Sequence, residues 1–444
     1  MIPVPVDDDL TVKTDAPTFD PPAPVSVKPQ ILPPVPEPAA PPRPDLVLFT
    51  VVLGLVAFGV VMVYSASAVY ATQKFGSPTY FLRRDLLYAA VGLTAMALAA
   101  RTDFSVYRKY AYPLLGSAMF LLVGVLVAGA RINGARRWFH FAGLSFQPAE
   151  LAKIALVIYL ASSLARKAEK VKSFTIGFVP HMLVAGLMMG LILKQPDLGT
   201  ACIIGLGTLL MLFVAGAKIS YIVIAVLGAA PVVYQAIVGT PWRLRRMLAY
   251  LDPWQYRYDV GYQITESLIS IGSGGATGLG LGDGKQKLFF LPEAHTDYIM
   301  AIVGEELGLL GLGAVAVAFG VLVWRGTRAA LKARDAFGCY LAIGITAMFG
   351  LQAVVNIGVV LGSLPTKGLP LPFVSYGGST LIVDLFAMGV LLNVSRAAPE
   401  PAPGESRLRW SFAWAAKRVA NRRKRGGGRR VIVDHGPDPV EANP

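Results

Sequence analysis

Ten apolar stretches, several of them close to twenty residues long, constrain this chain more than any other feature. They run near 46–64, 86–100, 111–130, 151–164, 176–193, 200–215, 221–238, 299–324, 337–361 and 380–394. A helix needs about 20 apolar residues to cross the hydrocarbon core of a bilayer. Because backbone groups in lipid must be hydrogen-bonded within the segment, we predict an all-α polytopic membrane protein with about ten transmembrane helices.

Composition supports this fold class and excludes others. Only 15% of the 444 residues are charged, whereas a soluble domain carries roughly 25%. The apolar stretches do not alternate with polar residues as the strands of a membrane barrel do. Cys202 and Cys339, the only cysteines, lie in apolar runs, so we expect no disulfide framework.

The distribution of charge predicts the topology. Cytoplasmic loops carry an excess of Lys and Arg. If the chain starts in the cytoplasm, the inner loops include Arg108, Lys167, Lys218 and Arg328. We therefore predict that both termini are cytoplasmic. A large extracytoplasmic loop, residues 239–298, would then join helices 7 and 8.

Three regions follow from these boundaries. Residues 1–44 form a Pro-rich cytoplasmic tail that we expect to be disordered. Residues 45–395 form the transmembrane domain. Residues 396–444 form a basic cytoplasmic tail, whose charge favours contact with membrane lipids over nucleic acid. Its segment 407–425 interleaves Trp with Arg and Lys, which fits either an interfacial segment or a simple solvated anchor.

Cations on the predicted outer side run against the charge rule. Arg83 and Arg84 lie in the first outer loop, and more lie in 131–147 and 239–298. A polyanionic substrate on that side would account for them.

The strongest cluster of polar residues ends the large loop. Glu293, His295 and Asp297 lie at the edge of the eighth span, and Glu305 and Glu306 follow within it. A carboxylate at the edge of a low-dielectric pocket can be tuned as a general base. Alternatively, Asp297 caps the eighth helix, because anionic groups favour a helix N-terminus.

A second cluster occupies residues 133–153. Arg136 and Arg137 have the planar fork that binds phosphate oxygens. Trp138 could stack on a sugar or anchor at the membrane interface. Glu150 and Lys153 are three residues apart, so they share a helix face and could simply neutralise each other.

Two further outer segments carry polar residues. Asp197 could cap the sixth helix or orient a cation. Lys367 and Ser375 lie in the Pro- and Gly-rich stretch 364–379, which cannot form an ordinary helix. Such backbone is tolerated at membrane depth where it is buried in protein or lines a wet cavity. Asp384, deeper in the tenth span, has no partner that the sequence identifies.

Taken together, four segments resemble the SEDS family of peptidoglycan glycosyltransferases. They are NGARRW…QPAELAK, QPDLGTA, the run RxRR…LPEAHTDYI…GEELG and LPTKGLPLPFVSYGGS, and they stand in family order across 46–394. The forms EAHTD at 293–297 and LPTKG at 364–368 look more like the division type (FtsW-like) than the elongation type (RodA-like).

The resemblance implies a function. It implies polymerisation of lipid II into glycan strands on the outer face of the bacterial inner membrane, at the division site. It also implies partnership with a class B penicillin-binding protein, which is a transpeptidase, and with divisome proteins. Asp297 matches the family's essential loop aspartate, the proposed catalytic residue.

Further residues are expected to bind substrate. Among these, Arg136, Trp138, Glu150, Lys153 and Lys367 fall on family motif positions. The predicted set is Arg136, Arg137, Trp138, Glu150, Lys153, Asp197, Glu293, His295, Lys367 and Ser375. No cofactor is required, although a divalent cation, Mg or Mn, could share the stabilisation of the leaving pyrophosphate.

Two other functions remain open. About ten spans with Gly and Pro breaks also fit a lipid II flippase, which should carry substrate contacts on the cytoplasmic side too. A scaffold that recruits a transpeptidase is the third possibility. The chain has no Ser-x-x-Lys signature of its own and should not crosslink peptides.

Overall fold

The computed structural model describes residues 44–132, 134–141 and 144–396. These ranges hold thirteen α-helices, a π-helical turn and three short strands. The helices are α1 Leu46–Phe75, α2 Tyr80–Arg101, α3 Ser105–Lys109, α4 Ala111–Ala128, α5 Pro148–Arg166, α6 Val179–Lys194, α7 Leu198–Val214, α8 Ile219–Val238, α9 Pro241–Leu251, α10 Tyr262–Gly274, α11 Ile299–Leu331, α12 Ala336–Val360 and α13 Ser379–Arg396. The two predicted tails lie outside the described residues apart from Pro44 and Arg396, and the expectations about them stay predictions.

Each of the ten predicted spans overlaps one of these helices over most of its length. Eight helices in the described ranges are long and apolar enough to cross a membrane, if the π-helical turn Phe174–Phe178 is counted with α6. The other two are α7, which has 17 residues, and α2, which carries three charged residues in its first turns. The all-α polytopic prediction is confirmed, and the orientation across the membrane stays a prediction.

The helices differ in how much protein surrounds them. In α5, 89% of the most apolar stretch is buried inside the protein, so this helix forms the centre of the bundle. None of the twenty residues of α8 is buried. An apolar helix that packs so little against protein must expose its side chains to lipid.

A small antiparallel sheet, which the sequence analysis did not predict, joins α4 to α5. Its strands are β1 Ala130–Ile132, β2 Ala135–Phe141 and β3 Leu144–Phe146, in the order β1-β2-β3. Ala130 pairs with Trp138, and Phe139 pairs with Phe146. Successive side chains of a strand point to opposite faces. The neighbours Arg136 and Arg137 on β2 are therefore directed to different places.

Helix α11 is interrupted at Gly308, whose φ of 66° and ψ of −161° are not helical. A break frees carbonyl and N–H groups, which cannot stay unpaired at membrane depth. The loop after α10 supplies the partners. Leu279 and Gly280 donate backbone N–H groups to the carbonyls of Glu305 and Glu306, both at 3.0 Å.

The pairing continues on the other side of the break. Leu309 and Leu310 donate to the carbonyls of Gly275 (2.9 Å) and Ala276 (3.1 Å). The loop 275–280 therefore replaces the helical hydrogen bonds that Gly308 removes. A Cβ at residue 308 would collide with the backbone nitrogen of Gly278 and the carbonyl of Ala276.

We expect Gly308→Ala to lower the thermal stability of the detergent-solubilised protein. The backbone region that Gly308 adopts is essentially restricted to glycine and costs other residues about 1–3 kcal/mol, and the collision with the loop adds to this. The matched control is Gly313→Ala in the same helix, where a Cβ meets no atom within 4 Å and alanine favours the helix. Equal melting temperatures for the two variants would contradict the role of the break.

Candidate active site

A cavity of about 830 Å³ opens at one end of the bundle. Its walls come from the first turns of α5, α7 and α13, the sheet, the last residues of α8, helix α9, and the loops before α11 and α13. All of these segments lie at the end that the charge distribution predicts to be extracytoplasmic. A volume of this size accommodates a substantial organic ligand.

Asp297 lies in this cavity, directly before α11. One carboxylate oxygen, Oδ2, packs against Gly368, where an added Cβ would lie 2.8 Å from it. Asn356 ties the two loops together, because its Nδ2 donates to the carbonyls of Asp297 (2.9 Å) and Leu369 (2.7 Å). The N-cap residue of α11 is Tyr298, and no side chain forms a capping hydrogen bond there. The alternative interpretation of Asp297 as a helix cap is therefore wrong.

The surroundings of Asp297 raise the pKa of its carboxyl group to about 7. Burial is the largest cause, and the negative charges of Glu293 and Asp197 add to it. Arg137 and Arg246 act in the opposite direction. A carboxyl group with this pKa is partly ionised at neutral pH and can accept a proton, as a general base must.

Four cationic side chains line the same cavity: Arg137, Arg243, Arg246 and Lys367. The Arg137 guanidinium is held by the backbone, since Nε donates to the Gln195 carbonyl at 2.8 Å and Nη2 donates to that of Pro196. Burial lowers the pKa of Lys367, and the nearby charges of Arg243 and Arg246 lower it further. Cations that crowd each other in this way form a site for an anion with several negative charges.

Three predicted acidic residues also line the cavity. Glu293 is exposed, with a φ of 56°, and its Oε2 accepts from Thr296 Oγ1 at 2.9 Å. Asp197 is the N-cap of α7 and accepts from the Thr200 backbone N–H at 3.0 Å. Glu150 is buried in the first turn of α5. The expectation that Asp197 caps its helix agrees with this geometry.

The predicted pairing of Glu150 with Lys153 is present in the structure. Lys153 Nζ lies 2.7 Å from Glu150 Oε2, and both side chains are buried. Lys153 also donates to Gln352 Oε1 at 2.8 Å. The sequence identified no partner for Asp384. In the structure, Asp384 lies near Glu150 and Lys153 and interacts electrostatically with both.

Seven of the predicted site residues line the cavity, and four do not. The seven are Asp297, Arg137, Trp138, Glu150, Asp197, Glu293 and Lys367. Arg136 turns away on the opposite face of β2, where Nη1 donates to the Leu126 and Val127 carbonyls at 3.0 Å each. Lys153 lies behind Glu150. Ser375 is buried and accepts from the Leu371 N–H at 2.9 Å.

The fourth residue outside the cavity lining is His295. Its ring packs among aromatic side chains, with ring centroids 4.6 Å from Phe81 and 5.7 Å from Tyr70. Burial lowers the pKa of this imidazole. The Tyr376 N–H donates to the His295 carbonyl at 3.0 Å, so His295 connects the loop that carries Asp297 to the loop before α13.

Sequence reasoning missed the contribution of α9. This helix brings Trp242, Arg243 and Arg246 to the cavity. The two arginines are three residues apart and therefore share a helix face. That spacing was a usable signal, but the segment lies in a long loop without a hydrophobic span to place it.

Comparison with known proteins places this arrangement in a family. A family model described as a cell cycle protein, FTSW_RODA_SPOVE, matches residues 45–400. The match covers the ten spans and every residue of the candidate site.

The chain belongs to the FtsW/RodA/SpoVE family.

Individual relatives agree with the family model. A "Probable peptidoglycan glycosyltransferase FtsW" from Geobacter metallireducens is 52% identical over 355 residues, which cover 80% of this chain and 95% of that protein. "Stage V sporulation protein E" from Bacillus subtilis is 42% identical over 355 residues, which cover 80% and 97%. These proteins belong to the SEDS family that the sequence resemblance indicated.

Solved structures share the fold of this family member. One is a chain from a peptidoglycan synthase complex described as coordinating polymerization and crosslinking. It has a TM-score of 0.67 and 31% identity, with 80% of this chain and 98% of that chain covered. Another is the rod shape determining protein RodA of Thermus thermophilus, with a TM-score of 0.60, 30% identity and coverage of 80% and 97%.

We expect the Asp297→Asn variant to be more stable than the wild-type protein, by a margin that grows as pH rises. The carboxyl group has a pKa of about 7 in the folded protein and about 3.9 in an unfolded chain. The folded state therefore binds the proton more tightly, and the wild-type protein loses stability as pH rises from about 4 to 7. The amide does not titrate. Thermal unfolding in detergent at pH 5 and pH 8 tests this, and an unchanged difference between variant and wild type would contradict it.

Proposed function

We propose that this chain is a peptidoglycan glycosyltransferase that polymerises lipid II on the outer face of the cytoplasmic membrane during cell division. The observation that carries the proposal is the cavity that Asp297 shares with four cationic side chains. The 52% identity to a probable peptidoglycan glycosyltransferase FtsW supports the activity and the division type. The solved RodA structure is less similar in sequence, at 30% identity.

In the proposed reaction, Asp297 acts as the general base. Asp297 accepts the proton of the acceptor sugar's 4-hydroxyl. The hydroxyl oxygen then forms a bond to the anomeric carbon of the donor, and the bond from that carbon to the pyrophosphate oxygen breaks with inversion. The pyrophosphate leaves with the bonding electrons, so negative charge grows on it during the reaction.

The cations of the cavity serve this leaving group. Fixed positive groups stabilise charge that develops in the transition state without having to reorganise. Arg137 is held by two carbonyls, and Arg243 and Arg246 come from one face of α9. Lys367 completes the group from the loop before α13.

A divalent cation stays a prediction. Within residues 44–132, 134–141 and 144–396, no group of three or more His, Cys, Asp or Glu side chains converges as a metal site.

The proposed partner is a class B penicillin-binding protein, together with other divisome proteins. The similarity to a chain of a complex that coordinates polymerization and crosslinking supports such a partner. This chain would make the glycan strand and the partner would crosslink it.

A lipid II flippase is the rival function. A flippase should bind the charged head group at both ends of the bundle. At the opposite end, Arg325 pairs with Asp45 at 2.6 Å and Arg108 with Asp335 at 3.6 Å. These two cations have protein partners, and the 52% identity to a probable peptidoglycan glycosyltransferase favours the enzyme.

We expect Asp297→Asn to abolish polymerisation, because an amide cannot accept the proton. Removing a general base costs about 10²- to 10⁴-fold in rate. A gel-based assay with purified protein and defined lipid II measures this. The control is Asp259→Asn in the same loop, an exposed carboxylate paired with Arg245 at 3.5 Å. If Asp297→Asn polymerises at the wild-type rate, the role of Asp297 is wrong.

We expect Arg246→Gln to slow polymerisation about 10- to 10³-fold, as expected for loss of one fixed group that stabilises transition-state charge. Arg245→Gln is the matched control, since Arg245 is the adjacent residue of α9 but lies outside the cavity lining, with its side chain 66% exposed. Initial rates across a range of lipid II concentrations separate the two variants. Equal losses in both would count against the pyrophosphate site.

A further inference from the structure

Two adjacent buried glutamates of α11 take no part in the cavity. Both carboxylate oxygens of Glu306 accept from Ser65 Oγ of α1 at 2.7 Å. Glu306 Oε1 also pairs with Lys287 Nζ at 2.7 Å, and Oε2 accepts from the Gly282 N–H at 3.0 Å. The Glu306 side chain is fully buried and that of Lys287 is 7% exposed. We call Ser65, Lys287 and Glu306 the latch.

Glu305 binds the same loop through its backbone. Its Oε1 accepts from the N–H groups of Lys285 (2.7 Å) and Gln286 (3.2 Å). Burying a carboxylate is costly unless hydrogen bonds satisfy it. Most of the donors to the two glutamates belong to the loop 282–287, so the glutamates fix the loop to α11.

The latch is connected to Asp297 by a short helical segment, Ile299 to Leu307. Asp297 precedes this segment, and Glu306 lies nine residues later, about 13 Å along the helix axis. Because Gly308 interrupts α11 directly after the segment, Leu309 and Leu310 donate their N–H groups to the loop 275–280 instead of to the segment. The loop and α10 hold it, and Ser270 Oγ of α10 donates to the Ala301 carbonyl at 2.9 Å.

We propose that Lys287 and Glu306 are positioning residues for Asp297, which lock the broken first part of α11 against α1 and so set the depth of the carboxylate in the cavity. The inference rests on the proposed role of Asp297 as the general base. Lys287 and Glu306 do not line the cavity and act only through the segment between them and Asp297.

The test compares the double variant Glu306→Gln/Lys287→Met with the control Lys285→Met. The double variant removes both charges of the buried pair together, so neither partner is left as an unpaired ion. The control removes a cation from the same loop, where the Lys285 side chain is exposed. Melting temperature and yield in detergent establish that each variant folds.

For the double variant we expect kcat to fall about 10- to 100-fold, as for a misplaced catalytic group, with KM within about twofold of wild type. A loosened segment leaves Asp297 less enclosed by protein than it is in the wild-type structure. The acidic limb of the pH profile of kcat/KM should therefore move to lower pH, because burial is what holds the pKa of Asp297 up. The control should match wild type in all three quantities.

Two results would overturn the proposal. One is a double variant that behaves like the control. The other is a double variant with lower kcat but an unmoved acidic limb, because the surroundings of Asp297 would then be intact. Failure of the underlying function looks different: the wild-type enzyme itself would lack an acidic limb near pH 7, or Asp297→Asn would remain active.

Discussion

The hydrogen-bonding demand of backbone in lipid is the constraint on which this structure depends. It forces the chain into long helices, and it permits a break only where another part of the protein supplies the lost partners. At Gly308 the loop 275–280 supplies them on both sides of the break. That exchange lets a loop enter the bundle, and the loop leads directly to Asp297.

The acidic group Asp297 and the cations of the cavity have different electrostatic surroundings. Partial burial and the nearby carboxylates of Glu293 and Asp197 raise the pKa of Asp297 to about 7. The cations come from three other places in the chain: the sheet, α9 and the loop before α13. A carboxylate in direct contact with these cations would be a weak base, because opposite charges favour the ionised form. The cavity thus keeps a proton acceptor and an anion site in one space.

The sequence predicted the parts of this arrangement that depend on length and composition. The ten spans were found because crossing lipid requires long apolar segments, and the four polar segments were found because charge is rare in such a chain. The sheet at 130–146 was missed because its strands are only three to seven residues long. Arg136 was grouped with Arg137 because the two are adjacent in sequence. Without knowledge of the strand, nothing indicated that their side chains point to opposite faces.

Other features depended on contacts between distant residues. Ser65 and Glu306 are 241 positions apart, and no local pattern indicates that α1 meets α11 at this point. The partners of Glu305 are backbone N–H groups, which every residue but proline carries and which therefore leave no signal in the sequence. The arginines of α9 had a regular spacing, but only the fold shows that they reach the cavity.

The exposed state of α8 makes the bilayer part of the enzyme's architecture. Since none of its residues is buried, lipid is the principal medium that determines its tilt, and tilt responds to the thickness of the hydrocarbon layer. Only Gly239 and Thr240 separate α8 from α9, so a change in that tilt is transmitted to the helix that carries Arg243 and Arg246. A bilayer that changed the tilt of α8 would therefore move one wall of the cavity.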